Sequence, residues 1–591
     1  MPSSSKRQVR LYLLTWAAVV WIVVLLYRLV DLQIANVDQW QNWALKQHLA
    51  RLKLASERGP LLDRHGRLMA VSVPAGSIYV RPRQVKDRDL VVKNLAALLH
   101  LPFKEIEEKL AEKAPFVWIK RQVPRALAEK VESLGLAGLG FVMEARRYYP
   151  YNQAAGALIG KVGVDGVGLS GIEMLYERHL RGEEVSTLAF RDAFGKLIQR
   201  TPAQALDLPR GDALRLTLDA EIQQILDEEL EAGRTLARAR AAMGVMLDAE
   251  SGEILAMGQA PALNLNNATR NAAQDLRNLA IETVFEPGSI LKPLVAAAAL
   301  EARVVNSQEV LNCEGGQFVF GAHTIKDVHP FGALRFYDVV VRSSNIGMSK
   351  VGLRLGKDRL YDALLRFGLG SSSGLDLPGE SAGILRRPVQ WTGIDIATHS
   401  FGQGVAVTPL QIVRAISVFA NGGILPELKV IQDGRFKSGR RIISEDTARL
   451  VREMMYGVVE DKHGTGRLAA IEGVRVGGKT GTAEKPRPNG RGYQPGAYVA
   501  SFVGFVDALP LGLNKKVSLI VVIDEPRAAS IYGGTLAAPV FRRIMQRSLH
   551  LLSAENNLRP DRELPVEEER APSIGPRSQG AFAMLTSVGG A

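Results

Sequence analysis

Three short motifs hold side chains that could carry out a nucleophilic reaction. Ser289 and Lys292 lie three residues apart in Phe285-Glu286-Pro287-Gly288-Ser289-Ile290-Leu291-Lys292-Pro293. Ser343-Ser344-Asn345 and Lys479-Thr480-Gly481-Thr482 follow in that order. A serine hydroxyl becomes a nucleophile when a neighbouring base takes its proton. A lysine amine can be that base if burial or a nearby cation keeps it neutral. Residues three apart on a helix share a face, so Lys292 can reach Ser289. The start of the helix adds unpaired N–H groups and a positive dipole end, both suited to an oxyanion. Pro293 fits only a first turn, so the helix begins close to Ser289 or bends there.

Each motif alone is weak. Ser3-Ser4-Ser5-Lys6 repeats the first in a polar N-terminal tail, and Lys437-Ser438-Gly439 nearly repeats the third in a polar loop. What separates the three motifs from these copies is order and setting. Ser289 precedes the apolar stretch Leu294 to Leu300, which reads as a buried helix. Ser343 follows the helical segment Phe336 to Val341. Lys479 follows the strand-like Val474-Arg475-Val476 and the flexible Gly477-Gly478, glycines that would let a substrate backbone approach the strand. Gly166-Val167-Gly168-Leu169-Ser170-Gly171 matches a dinucleotide fingerprint, but the turn-rich residues before it are no buried strand. Its glycines read as turn and packing positions.

At 591 residues the chain has room for two or three domains. Its net charge of +13 shows no basic stripe with interleaved aromatics, which argues against nucleic acid as a partner. The single cysteine, Cys313, excludes an internal disulfide framework, and nine scattered histidines give no zinc-type cluster. No cofactor and no metal are expected. Leu11 to Tyr27 is apolar apart from Thr15, and the run extends to about residue 31. Lys6, Arg7 and Arg10 precede it, and no small-residue cleavage site follows. The expectation is an uncleaved single-pass anchor over 11–31, with a cytoplasmic tail at 1–10 and everything after about residue 32 outside the inner membrane.

Residues 32–56 read as an amphipathic juxtamembrane helix. From Glu57 the texture changes. Arg58 to Ala70 reads as strand, tight turn, strand, and residues 86–135 as two or three surface helices. Leu214 to Leu218 is a strand, after which Asp219 caps the helix Glu221 to Leu236. Ala242 to Leu247 and Glu253 to Met257 form a hairpin. The domains are therefore drawn at 57–218 and 219–552, with a disordered tail over 553–591. The fold class is α+β, with helices set against an antiparallel sheet in the second domain.

Ser-x-x-Lys, Ser-x-Asn and Lys-Thr-Gly in this order are the signature of serine β-lactamases and penicillin-binding proteins. The chain resembles the class B penicillin-binding proteins, most closely the division-specific, FtsI-type branch of peptidoglycan D,D-transpeptidases. Further motifs carry the likeness through both domains. Arg58-Gly59, Asp63-Arg64, Gly66, Tyr149-Pro150 and Gly168-x-x-Gly171-Ile172-Glu173 match the N-terminal pedestal (dimerisation-like) domain. Phe401-Gly402-Gln403-Gly404, Thr408-Pro409-Leu410-Gln411, Ala500 to Phe505 and Tyr532-Gly533-Gly534 match the transpeptidase domain. Glu286 leans towards the division branch, because the elongation branch usually has a second proline there.

The resemblance implies an antiparallel sheet flanked by helices, serine β-lactamase-like, and it implies roles. Ser289 would attack the carbonyl between the last two D-alanines of a stem peptide, with Lys292 as base. The backbone N–H groups of Ser289 and Thr482 would form the oxyanion hole. Ser343 and Lys479 would relay a proton to the leaving D-alanine. Lys479, Thr480 and Thr482, with Gly481 between the threonines, would bind the terminal carboxylate of donor or β-lactam. Asn345 would orient the donor amide and hold Lys292. An amine from a neighbouring strand would resolve the acyl-enzyme as a 4,3-type crosslink. A glycan polymerase of the FtsW type and other divisome proteins are the implied partners, and the septum the implied place. The alternatives are an elongation-type transpeptidase, a D,D-carboxypeptidase or β-lactamase, a non-catalytic divisome scaffold, and a β-lactam-sensing receptor.

Overall fold

The computed structural model describes residues 4–558 apart from 39, 41–42, 44–48, 55–56, 183–184, 192–196, 199–209, 268–275, 435–438, 488–491 and 508–514. Lys437 and Ser438 of the near-copy loop, and the tail beyond Leu558, lie outside the described residues. The N-terminal helix runs Ser4–Val30, so it takes in most of the stretch expected as a polar tail. Nothing in Lys6 to Arg10 breaks a helix. Gln8–Ala35 is apolar and long enough to cross a membrane, and Trp16 and Trp21 are exposed.

The juxtamembrane helix expected over 32–56 is not continuous. Leu49–Leu54 is a strand, antiparallel to Val185–Arg191. From Arg51 the sequence Arg-Leu-Lys-Leu alternates with a period of two, and that period prevails over the amphipathic reading.

The first domain is built on one long strand, Leu68–Val80. Leu139–Tyr148, Val117–Pro124 and Leu61–Leu62 all pair antiparallel with it. Three helices, Arg88–Leu99, Phe103–Ala111 and Arg125–Glu132, cover the far half of this strand. Leu95, Leu99, Ile106 and Val131 pack there against Ile78, Val80, Ile119 and Val123. The near half belongs to a different core. Leu61, Met69, Tyr149, Leu158, Ile172 and Leu180 share one continuous apolar cluster with the catalytic fold.

Two charge networks tie this near half together. Glu173 is fully buried and receives Arg58 at 2.5 Å and Arg147 at 2.7 Å, while Arg58 also reaches Glu177 at 2.6 Å. Breaking a buried pair by removing one partner costs about 3–5 kcal/mol, so the motif residues Arg58 and Glu173 hold architecture. Asp63 accepts from Ala220 N at 3.2 Å and from Arg67, whose guanidinium also reaches Asp219 at 2.9 Å. Asp219 caps the helix Ala220–Leu236, so the Asp63 turn sits on that helix's positive end. Of the fingerprint-like glycines, Gly166 is a turn position with φ +77° and open space around it, while Gly168 and Gly171 are packing positions. A Cβ on Gly168 would fall 2.1 Å from the carbonyl of Glu173, and one on Gly171 2.4 Å from that of Leu158.

The catalytic fold holds a five-stranded antiparallel sheet, in the order Ile254–Ala260, Ala241–Asp248, Lys516–Asp524, Tyr493–Asp507, Arg475–Pro486. Alternate side chains point to opposite faces. Met243, Val245, Ile520 and Val522 face the helix Pro409–Ala420 and the apolar helix after Ser289. Ala242, Met246, Leu519 and Val521 face Ala220–Leu236 and the C-terminal helix Gly533–Leu558, which runs past residue 552. Because both faces are covered, Lys516–Asp524 is buried at nearly every position, and Leu519 to Ile523 is apolar without alternation. The strand carrying Lys479 lies at the sheet edge, free on one side to line a cleft.

Candidate active site

Ser289 lies in a single 3-10 turn, Gly288–Leu291, and Lys292 opens the α-helix Lys292–Glu301 with Pro293 in its first turn. The helix therefore starts after the serine, and the tighter turn before it brings residues three apart into eclipse. Lys292 to Leu300 is wholly buried. Leu294, Val295 and Leu300 each contribute roughly 1.5–3 kcal/mol of burial to anchoring it. Ser289 itself is half-buried and faces a cleft.

The turn before the serine is clamped from several sides. Phe285 and Val407 exchange backbone hydrogen bonds at 3.0 and 2.9 Å, and Gly288 N donates to Gly402 O at 2.9 Å. Gly402 has φ +90°, and a Cβ there would lie 2.0 Å from the Gly288 carbonyl. Glu286 accepts from Gly404 N and from the Tyr493 hydroxyl, both at 2.9 Å. Burial pushes its carboxyl up, and these two bonds oppose that shift. Glu286 thus ties the turn both to the Phe401–Gly404 loop and to the neighbouring strand.

Lys292 is fully buried, and its Nζ lies 2.6 Å from Ser343 O, 2.8 Å from Asn345 Oδ1 and 3.1 Å from Ser343 Oγ. Asn345 Nδ2 donates to Lys326 O at 2.9 Å, which turns Oδ1 towards the lysine. Two of the three neighbours, a carbonyl and an amide oxygen, can only accept. A neutral amine would give its two protons to them and keep its lone pair for a hydroxyl. Burial pulls the Lys292 amine well down, the nearby Lys479 charge adds to this, and Asp327 opposes it.

Ser343 Oγ also lies 3.0 Å from Lys479 Nζ, so one hydroxyl sits between two buried lysines. Ser343 takes a left-handed φ of +63°. That conformation costs a non-glycine residue of order 1–3 kcal/mol and persists where its surroundings over-determine it. Here Asp327 does much of the holding. It accepts from the Ser344 hydroxyl at 2.6 Å, from Asn345 N at 2.5 Å and from Ile346 N at 3.0 Å, at the positive end of the helix Asn345–Leu355. Cys313, buried below, places its Sγ 3.4 Å from Ser344 Oγ and packs against the motif from behind.

On the edge strand Lys479 is fully buried, and burial pulls its amine down to about 7. Thr480 Oγ1 meets Thr465 Oγ1 at 2.8 Å, and Thr482 Oγ1 accepts from Gly533 N at 3.1 Å. Gly477 and Gly478 do not serve as substrate clearance. A Cβ on Gly477 would fall 2.5 Å from the Phe505 ring and one on Gly478 2.3 Å from that of Phe502, so both accommodate cross-strand phenyl groups. Close approach is needed instead at Gly481, where a Cβ would lie 2.4 Å from Ser501 Oγ and 3.0 Å from Pro287 O. There the serine turn docks on the strand.

Ser289, Ser343, Asn345, Thr480 and Thr482 line one cleft of about 490 Å³, with Lys292 and Lys479 beneath it. Val328, Phe331, Phe401, Leu468 and Tyr532 form its apolar walls. A serine hydroxyl facing the cleft, with a second hydroxyl bridging two buried amines held down by burial, is equipment for acyl transfer. Sequence reasoning missed Asp327 and Thr465. Each is a polar residue in a loop, and no spacing rule links it to its partner.

Comparison with known proteins fits this geometry. Residues 242–546 match the penicillin binding protein transpeptidase domain, and residues 53–216 the penicillin-binding protein dimerisation domain. The chain is 36% identical over 529 residues to the probable peptidoglycan D,D-transpeptidase PenA of Neisseria gonorrhoeae, covering 88% of each chain. It is 33% identical over 553 residues to the peptidoglycan D,D-transpeptidase FtsI of Escherichia coli K12, covering 92% of each. Its structure resembles penicillin binding protein 3 of Mycobacterium tuberculosis complexed with aztreonam. The TM-score is 0.63 at 26% identity, over 84% of this chain and 97% of that one. With a dimerisation domain followed by a transpeptidase domain, this chain belongs to the class B penicillin-binding proteins and is a peptidoglycan D,D-transpeptidase.

Proposed function

We propose that this transpeptidase crosslinks stem peptides at the division septum, through an acyl-enzyme on Ser289. The observation that carries the site assignment is the Ser343 hydroxyl, held 3.1 Å from Lys292 and 3.0 Å from Lys479 beside the serine. Lys292, kept neutral, takes the proton of Ser289 Oγ as that oxygen attacks the D-Ala–D-Ala carbonyl. The N–H groups of Ser289 and Thr482 receive the developing oxyanion, a contribution typically worth about 3–4 kcal/mol per donor. The proton then passes through Ser343, with Lys479 beside it, to the nitrogen of the departing D-alanine. Lys479, Thr480 and Thr482 hold the terminal carboxylate, and Asn345 orients the donor amide. β-Lactams bind the same domain, acylating Ser289 as donor mimics.

The single N-terminal apolar helix is the membrane anchor in this reading, with its N-terminus in the cytoplasm. Septal action, an FtsW-type polymerase and other divisome proteins as partners belong to the same proposal, supported by Glu286 in its division-branch position and by the FtsI likeness. Fluorescent penicillin tests the centre of it. Wild type is expected to label and Ser289→Ala to stay dark; labelling that survives the substitution refutes the nucleophile. A fluorescent fusion tests the place, since enrichment along the lateral wall rather than at midcell would favour an elongation role.

A further inference from the structure

The cleft is lined by two arginines, Arg342 and Arg467, and by no Asp or Glu. Among the described residues neither guanidinium has a hydrogen-bond or ion-pair partner, and Arg342 Nε is buried without one. Nearby arginines outside the cleft behave otherwise. Arg475 pairs with Glu453 and Glu460, and Arg335 with Asp338. Two unpaired guanidinium groups in a cleft that holds hydroxyl, amide and apolar side chains but no carboxylate are disposed to receive planar anions, which a guanidinium binds through two parallel hydrogen bonds.

Their place along the edge strand says which anions. The Lys479 end of the strand meets Ser343 at 3.0 Å, and its neighbour Thr480 meets Thr465 at 2.8 Å. The other end, at Ala483, meets Gly288, whose added Cβ would lie 3.4 Å away. Arg342 adjoins Ser343 and Arg467 is two residues from Thr465, so both arginines stand at the Lys479 end. In the proposed mechanism the D-alanine leaves from that end. Transfer is acylation run backwards with a different amine, so the acceptor must enter where D-alanine left.

We infer that Arg342 and Arg467 form the acceptor subsite, reading carboxylates of the incoming stem peptide that lie beyond the reacting amine. The inference rests on the transpeptidase reading of Ser289. In the step itself the acceptor nitrogen attacks the ester carbonyl of the acylated Ser289. The new amide C–N bond forms, the C–Oγ bond breaks, and the nitrogen's proton returns to Ser289 Oγ. The acceptor class selected is an acidic peptide that carries carboxylates remote from its reacting amine. An amine without such carboxylates would leave both arginines unused.

The test uses the full-length enzyme in detergent with a D-Ala-D-Ala pentapeptide donor and two acceptors. One is the tripeptide L-alanyl-γ-D-glutamyl-diaminopimelate. The other is the same tripeptide with the two carboxylates remote from the reacting amine converted to amides. Wild type is expected to show a KM for the free acid about tenfold below that for the amide, a gap that closes in high salt. R342Q with R467Q is expected to raise the free-acid KM about tenfold, leave the amide KM where it was and change kcat little. Equal KM values for the two acceptors in wild type, which needs no variant, would overturn the inference. So would a variant that shifts both acceptors by the same factor, or one whose loss appears in the donor's KM instead. Failure of the underlying reading looks different, because then wild type neither labels with fluorescent penicillin nor releases D-alanine from the donor.

Discussion

Replacing Lys479 with methionine should make the folded protein's stability less dependent on pH. Methionine fills much of the same space and removes the ionising group. In the folded chain burial holds this amine at about 7, against an ordinary value of 10.5. Below about pH 7 the lysine is charged in both states, and the folded state bears a buried charge. Between about 7 and 10.5 the unfolded chain holds a proton that the folded chain lacks, so stability rises with pH. At 1.36 kcal/mol per unit, the rise from pH 7 to pH 9 is about 2 kcal/mol. Lys292 adds a slope of the same sign in the wild type. In the variant that slope weakens, because one cause of the Lys292 shift is the Lys479 charge. The fixed offset between the two proteins also contains lost hydrogen bonds to Ser343 and Thr480, so the pH-dependent part carries the test. Urea unfolding followed by tryptophan fluorescence at pH 7 and pH 9 supplies it. Wild type is expected to gain about 2 kcal/mol more than Lys479→Met between the two pH values. Equal gains would refute the argument that burial neutralises this lysine.

Asp327→Asn should lower stability by about 1–3 kcal/mol and slow penicillin labelling as well, because the helix Asn345–Leu355 loses its anionic cap while Ser343 and Asn345 lose their support. Thermal unfolding and labelling rate should fall together; a loss of stability with labelling untouched would show that Asp327 only holds the helix. Gly478→Ala should disturb the edge strand, since the added methyl meets the Phe502 ring, itself packed edge-on against Phe541 at 4.8 Å. Its unfolding temperature should drop, and Gly478→Ala combined with Phe502→Leu should recover part of the loss.

What could be read from residue types was largely chemical. Ser289, Lys292, Ser343, Asn345 and Lys479 announce themselves by motif and order, and the structure gathers them around one cleft. Local elements with strong punctuation were also legible. Asp219 accepts from Glu221 N and Ile222 N at the start of its helix, and the Ala241–Ala260 hairpin turns at Asp248 to Gly252. Glu445–Glu460 carries the same kind of signal, with Ser444 capping it and acids in its first turn. Other features depend on partners far away in the chain. Whether Gly478 clears a substrate or a phenyl ring is decided by its register opposite Gly504 and Phe502's diagonal reach, which residue 478 cannot disclose. Asp327 is an ordinary loop carboxylate until the fold brings Ser344 to it. Leu49–Leu54 shows its strand period only from Arg51, and its partner Val185–Arg191 lies far along the chain, where no local pattern could name it.

The long strand Leu68–Val80 passes through both cores, entering at Met69 in the cluster shared with the catalytic fold and leaving at Ile78 and Val80 beneath the three surface helices. Mechanically it is a beam. The divide between the two matched domains is no hinge, because bending there would split a shared core and pull Asp63 and Arg67 off the first turn of Ala220–Leu236. Load applied to the outer lobe therefore travels along one covalent strand, through the Arg58–Glu173–Arg147 knot at its near end, into the frame that carries the serine. A tug on the pedestal is felt by the catalytic fold as a whole.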